Sequence, residues 1–302
     1  ADAVKGKFKQ LQSGLYEQLT GKSATSAEVQ DNDEHKWLGM LVEAMTMERA
    51  LVVLDDPWLP EQVRFLNPVD SAQTEHRLLV TTRIRGLAHS RAACIELSMM
   101  GKDEAVALLL DVAGIKKQAY QIEHPGSQWP PPAAYGLASE CGLLPITLTI
   151  TAQLVRSWGK GWEKAVLPLL QEEHGPREGR GATTVEERII GAGLKSLKGE
   201  DAPAIKALFE MFAVTQEDFV HPMAVIELLW RLCCTSSTEA AGGLSARLKV
   251  RQWTQVLIDQ SLLLGSSAKG MHMHDIVLTY LRGSRSALEL RALQKRVVDG
   301  LV

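Results

Sequence analysis

The chain has 302 residues, 45% of them hydrophobic and 23% charged, with a net charge of −3. That is enough apolar material for a sizeable core and about two or three subdomains. With no basic tail or stripe, the charge excludes a long-range pull on nucleic acid or an anionic membrane. Four cysteines, Cys94, Cys141, Cys233 and Cys234, form no C-x-x-C pair and read as reduced thiols of an intracellular protein. The longest apolar stretch, residues 143–155, is too short to span a bilayer and contains several threonines. No signal peptide is visible, and because the chain starts at Ala1 without a methionine, sequence upstream is expected to be missing.

Phe8, Leu11, Leu15 and Leu19 recur at helical spacing, so a helix is expected to run into Leu19-Thr20-Gly21-Lys22-Ser23. Those five residues look like the tail of a phosphate-binding loop, G-x-x-x-x-G-K-[ST], whose glycines let backbone N–H groups close around phosphates. The first glycine of such a loop would stand at position 16, which is Tyr16. Gly21 is therefore read as the stop signal of the helix.

Trp37, Leu38, Leu41, Val42 and Met45 predict a second helix, leading into the apolar run Ala50-Leu51-Val52-Val53-Leu54 and its closing pair Asp55-Asp56. An unbroken apolar run of this kind predicts a strand buried on both faces, as in a parallel sheet covered by helices. Leu78-Leu79-Val80-Thr81-Thr82-Arg83 repeats the design, apolar first and polar at the carboxyl end. The residues between leave room for a crossover helix, expected over residues 60–66. Two parallel strands place their carboxyl ends at one edge of the sheet, where open α/β folds bind ligands. Asp55, Asp56 and Arg83 then converge as a set suited to a triphosphate: a carboxylate for Mg²⁺, a second to polarise water, and a cation facing the terminal phosphate. Asp-Asp-Pro-Trp also reads simply as a turn after a strand.

Val106, Leu109, Leu110 and Ala113 make the apolar face of a helix with the acidic start Asp103-Glu104. Residues 123–133, with four prolines, three of them consecutive, read as a loop. Gly142 ends one helix and Pro145 sits in the first turn of the next, where its missing N–H costs nothing. Residues 172–184 are glycine-rich and charged, an expected exposed linker, and Thr184 with Glu187 forms a capping box for the helix that follows. Leu262-Leu263-Leu264-Gly265 and Met271-His272-Met273-His274 predict a β-hairpin between helices over 247–260 and 276–281. His272 and His274 share a face, but no third metal ligand follows at useful spacing.

Four of these segments together resemble the NB-ARC family of signalling ATPases, found in apoptotic activators and plant disease-resistance proteins. "LVVLDDPW" looks like the family's Walker B segment, "LLVTTR" like its sensor strand, and "CGLLPITL" like its C-G-G-L-P-L-A-L segment with Leu143 in place of the second glycine. Met273-His274-Asp275 matches its M-H-D motif, and "ALFEMFAV" fits a further apolar pattern of the family. The resemblance implies a partial P-loop NTPase parallel sheet of α/β class in residues 1–95. A helical bundle over 96–173, a linker over 174–184 and a winged-helix subdomain over 185–285 are then expected, with residues 286–302 beginning a further helical region.

The resemblance also implies ADP/ATP and Mg²⁺ as cofactors. Asp55 is then the metal ligand, Asp56 the catalytic carboxylate, Arg83 a phosphate contact and Pro145 the residue against adenine or ribose. His274 is the contact to the β-phosphate of ADP, and Asp275 is read as capping the next helix. The function implied is a cytoplasmic molecular switch: ADP holds a closed state and exchange for ATP opens it for assembly, with protein partners and a homo-oligomer when activated. Neither nucleic acid nor a membrane is expected as a partner. The true phosphate loop is expected upstream of Ala1, so this chain alone is expected not to hydrolyse ATP. Two other readings stand beside the switch: a degenerate, non-hydrolysing scaffold or interaction module, and a transcription regulator whose DNA contact lies elsewhere.

Overall fold

A computed structural model of the chain describes residues 2–22, 34–45, 49–69, 75–87, 93–172, 184–217, 219–233 and 244–301. Two compact units emerge, Ala1–Leu97 and Ser98–Val302.

The first unit runs α1 (Asp2–Thr20), α2 (Glu34–Met45), β1 (Leu51–Asp55), α3 (Pro60–Leu66), β2 (Arg77–Thr81) and a single 3-10 turn, Arg85–Leu87. The helical spacing of Trp37, Leu41 and Met45 puts all three side chains in the core. Helices α1, α2 and α3 pack on one another. The Phe8 and Phe65 rings lie 5.8 Å apart, and Gln12 Nε2 donates to the Phe65 carbonyl at 2.8 Å. Helix α3 opens on Pro60, whose fixed φ suits a first turn, and it occupies the residues expected for the crossover. Strands β1 and β2 pair in parallel, Leu51 opposite Arg77 through Asp55 opposite Thr81.

The strands are not buried on both faces as expected. Val52 is only 2% exposed, but Leu51, Val53 and Leu79 are 62%, 53% and 50% exposed. Side chains alternate across a strand, so a continuous apolar run feeds both faces equally, and here only the Val52 side is covered. Periodicity cannot tell these cases apart, because the run looks the same whether or not its second face is covered.

In the second unit, α4 (Lys102–Ala113) is followed by α5 (Lys117–Glu123), α6 (Pro132–Glu140), α7 (Pro145–Trp158) and α8 (Trp162–Glu172). Val106, Leu109, Leu110 and Ala113 are buried as the spacing requires, and α4 packs against α6 and α7. The proline-rich loop is one residue pair shorter than expected at its far end, because Pro132 takes the first position of α6. A first-turn proline sacrifices only an N–H that has no helical partner in any case. Arg156 reaches back from α7 to the carbonyls of Val112 and Ala113 and caps the end of α4. Residues 173–183 of the expected linker lie outside the described residues, as do Ser23 and Cys234.

Then come α9 (Val185–Ser196), α10 (Ala202–Met211), a 3-10 turn at Phe212–Val214, α11 (Met223–Cys233) and α12 (Leu244–Asp259). Strands β3 (Leu264–Ser266) and β4 (Gly270–His272) follow, with α13 (Asp275–Gly283) and α14 (Ala287–Asp299) closing the chain. The capping box at α9 forms: Thr184 Oγ1 accepts from Glu187 N, and the Glu187 carboxylate accepts from Thr184 N, both at 3.2 Å. Strands β3 and β4 are the expected antiparallel hairpin, and His221 adds an antiparallel bridge to Met271. Helix α10 packs on α12, α11 on α12 and α14, and α9 on both α7 and α13. Among the described residues no helix is long and apolar enough to cross a membrane.

Candidate functional site

The parallel register brings the carboxyl ends of β1 and β2 level, which is what gathers the polar residues there. Asp56 leaves β1 with φ +48, a left-handed turn that its short polar side chain tolerates. Its N–H donates across to the Thr81 carbonyl at 2.9 Å and to Thr81 Oγ1 at 3.2 Å. Thr81 Oγ1 in turn donates to Asp55 Oδ1. Arg83 Nη2 lies 2.7 Å from Asp56 Oδ2, and its Nε donates to Oδ1 at 3.3 Å, a two-point grip on one carboxylate. Trp58 Nε1 donates to the same Oδ2 at 3.1 Å, and the Arg83 guanidinium carbon sits 5.0 Å from the centre of the Trp58 ring. Thr82 Oγ1 donates to the Pro57 carbonyl at 3.0 Å and ties the two turns together.

The hydrogen bond from Arg83 holds the Asp56 carboxyl below the usual carboxylate range, with the guanidinium charge and Trp58 acting in the same direction. Arg83 and Trp58 thus engage both oxygens of the Asp56 carboxylate, and its lowered pKa makes it a weaker proton acceptor than a free carboxylate. Asp55 is exposed, and among the described residues its Oδ2 has no hydrogen-bond partner. Among the described residues no group of three or more His, Cys, Asp or Glu side chains is placed to hold a metal ion.

Two expected site residues lie in the second unit, each at a helix start. Pro145 is the exposed first residue of α7. The turn that presents it holds Gly142 at φ +62 and Leu143 at φ +58, and Thr147 Oγ1 ties it down by donating to the carbonyls of Cys141 (2.6 Å) and Leu144 (2.8 Å). Leu143 thus takes a left-handed conformation at the position where the resemblance led one to expect glycine. His274 is the N-cap of α13, its Nδ1 accepting from Ile276 N at 3.3 Å. Asp275, expected to cap that helix, accepts from the same N–H at 2.8 Å but from inside the first turn. Nδ1 of His274 also touches the Asp275 carboxylate, and the imidazole is 41% exposed. Among the described residues its Nε2 has no hydrogen-bond partner.

Leu19-Thr20-Gly21-Lys22 forms a helix end. Gly21, at φ +66, closes α1 with its N–H on the Glu17 carbonyl at 2.8 Å, and Thr20 Oγ1 folds back to the Tyr16 carbonyl. An α-helix leads into it where a phosphate loop follows a strand, so the four described residues are not such a loop.

The NB-ARC domain model matches residues 4–119. That stretch of the chain is an NB-ARC match from within α1 to within α5, and it contains Asp55, Asp56, Trp58 and Arg83. Pro145 and His274 lie beyond it. NB-ARC domains are nucleotide-binding modules of signalling NTPases with the P-loop NTPase fold, and a nucleotide is the ligand class this match indicates. No curated protein matches the chain.

Sequence reading missed Trp58 and Gln62. Gln62 Oε1 accepts from the N–H groups of Trp58 (2.5 Å) and Leu59 (2.8 Å) and so fixes the turn that carries the indole. The signal available was an aromatic residue two positions past Asp56, beside a strand end that also carries an arginine.

Proposed function

We propose that the chain is the ADP/ATP-binding switch core of a STAND-type signalling ATPase. The observation that carries this reading is the meeting of Asp55, Asp56, Thr81 and Arg83 at one edge of a parallel strand pair inside the NB-ARC stretch. Arg83 supplies a cation for outer phosphate oxygens. Asp55 offers one open carboxylate oxygen, which fits Mg²⁺ held jointly by a carboxylate, water and phosphate rather than by a protein cage. Asp55 would be the residue to hold the ion, which would supply positive charge against the phosphates. In the second unit, Pro145 suits a flat apolar ring, and His274 has an Nε2 suited to donate to an anion.

The same proposal assigns residues 185–285 to a winged-helix subdomain, which the succession of α10, the His221 bridge, α11, α12 and the β3–β4 hairpin supports. ADP and ATP shift such a switch only by binding its two states with different affinities, so ADP favours the closed state and ATP the open one. Protein partners, self-assembly on activation and a cytoplasmic setting belong to this reading.

A second reading, a non-hydrolysing scaffold of the same descent, is favoured by one observation: both oxygens of Asp56 are occupied by Arg83 and Trp58. Denaturing the purified chain and assaying the supernatant for adenine nucleotide tests the switch. Near-stoichiometric ADP, lost in His274→Ala, supports it; absence of nucleotide, together with no uptake of added ADP, favours the scaffold.

A further inference from the structure

Trp58 is 55% exposed, an unusual place for an indole with no core to fill. Its two polar and aromatic contacts converge on a single neighbouring pair. The indole N–H reaches Asp56 Oδ2 at 3.1 Å, and the ring face lies 5.0 Å from the guanidinium carbon of Arg83, which itself grips Asp56. The backbone on either side is fastened independently of that pair. Gln62 accepts from the Trp58 and Leu59 N–H groups, and Thr82 donates to the Pro57 carbonyl, so the turn that carries the indole is fixed by contacts that involve neither Asp56 nor the Arg83 side chain. Arginine on a flexible stem has many rotamers; an aromatic plane on one side and a carboxylate on another leave few.

We infer that Trp58 is a positioning residue for Arg83, a roof that keeps the guanidinium over the carboxyl edge of β1 and β2 where an anionic phosphate is received. This deepens the nucleotide reading above and rests on it for the identity of the ligand. The guanidinium donates to Asp56 in the structure described here, and a phosphate competes with that carboxylate for the same donors. The cation–π contact needs no hydrogen-bond donor, so Trp58 keeps its hold while Arg83 changes partner.

Two measurements on the full chain test this. The first follows the arginine Nε–H resonances by NMR, with Arg83 assigned from R83K. In the wild type the Arg83 signal is expected upfield of unstructured arginine, shifted by the indole ring. Trp58→Leu moves it to the unstructured position, whereas Trp58→Phe, which keeps a ring but no N–H, retains most of the shift. An Arg83 signal unchanged in Trp58→Leu overturns the inference.

The second measures ATP binding, expected to weaken about two- to fivefold in Trp58→Leu and less in Trp58→Phe, as loss of an exposed cation–π contact implies. Wild-type affinity in Trp58→Leu overturns the role in phosphate reception. If the wild-type chain takes up no ATP while the Arg83 signal responds as expected, the nucleotide reading falls and the positioning of Arg83 by Trp58 is supported.

Discussion

Arg83 and Asp56 stand at the carboxyl ends of adjacent parallel strands with Nη2 and Oδ2 2.7 Å apart, so the cation and the carboxylate of the candidate site neutralise each other. Removing one partner therefore reveals what the other does. Arg83→Ala is expected to return the Asp56 carboxyl toward its ordinary pKa of 3.8. Because the native value is depressed, the pair's contribution to folding is present above the ordinary pKa and lost as pH falls through the lowered one. The side chains are 63% and 40% exposed, and exposed pairs contribute about 0–1 kcal/mol, so the loss at neutral pH is small. Urea denaturation of wild type and Arg83→Ala at neutral and strongly acid pH checks both the size and its disappearance in acid.

Gly142 and Leu143 hold consecutive left-handed conformations ahead of Pro145. Gly142→Ala is expected to destabilise by about 1–2 kcal/mol from the backbone alone, since an added Cβ finds only ordinary contact with Val185 at 3.8 Å. Leu143→Gly relieves similar strain but gives up a half-buried side chain packed on the core, a loss of about 1–1.5 kcal/mol, so it is expected to be nearly neutral. Thermal melts of the two variants should separate clearly.

Arg282 fastens α13 to the 3-10 turn and the segment after it, donating to the carbonyls of Ala213 (3.2 Å) and Thr215 (2.7 Å) and to Glu217 (2.7 Å). Arg282→Ala is expected to cost about 2 kcal/mol, the range for charged hydrogen bonds that leave carbonyls partly stranded. Arg282→Lys recovers only part, because one ammonium cannot reach three acceptors arranged for a planar fork. Equilibrium denaturation gives the ordering directly.

Burial pushes the Tyr120 hydroxyl up to about 12, helped by its hydrogen bond to Glu163 at 2.6 Å. A raised native value means stability that is complete below the unfolded pKa of 10.0 and is lost as pH climbs through about 12. Tyr120→Phe is expected to flatten that alkaline decline and to remove the latest phase of tyrosinate absorbance. Persistence of that phase in the variant sinks the assignment.

Burial likewise raises the Cys141 thiol to about 12, whereas Cys94 is exposed. A thiol-specific reagent at neutral pH is expected to label Cys94 in the native chain and Cys141 only after denaturation. Mass spectrometry of the labelled peptides tells the two apart.

The sequence by itself determined the local elements of this protein, because they rest on interactions a few residues long. The apolar period of Trp37, Leu41 and Met45, the proline that opens α3, the reciprocal cap of Thr184 and Glu187 and the stop at Gly21 all act within a turn or two of helix. It also showed that Asp55, Asp56 and Arg83 end two strands, and parallel pairing was enough to bring them together. Only the tertiary structure decided what those residues then do. Whether Leu51, Val53 and Leu79 are covered depends on which elements lie over that face, and no alternation in the strand records it. That Asp56 binds Arg83, and that Trp58 roofs the pair, depends on side-chain directions set by a left-handed turn at one strand end and a glutamine cap at the next helix. Such contacts join residues far apart in the chain through distances of a few ångströms, and spacing along the sequence carries no measure of them.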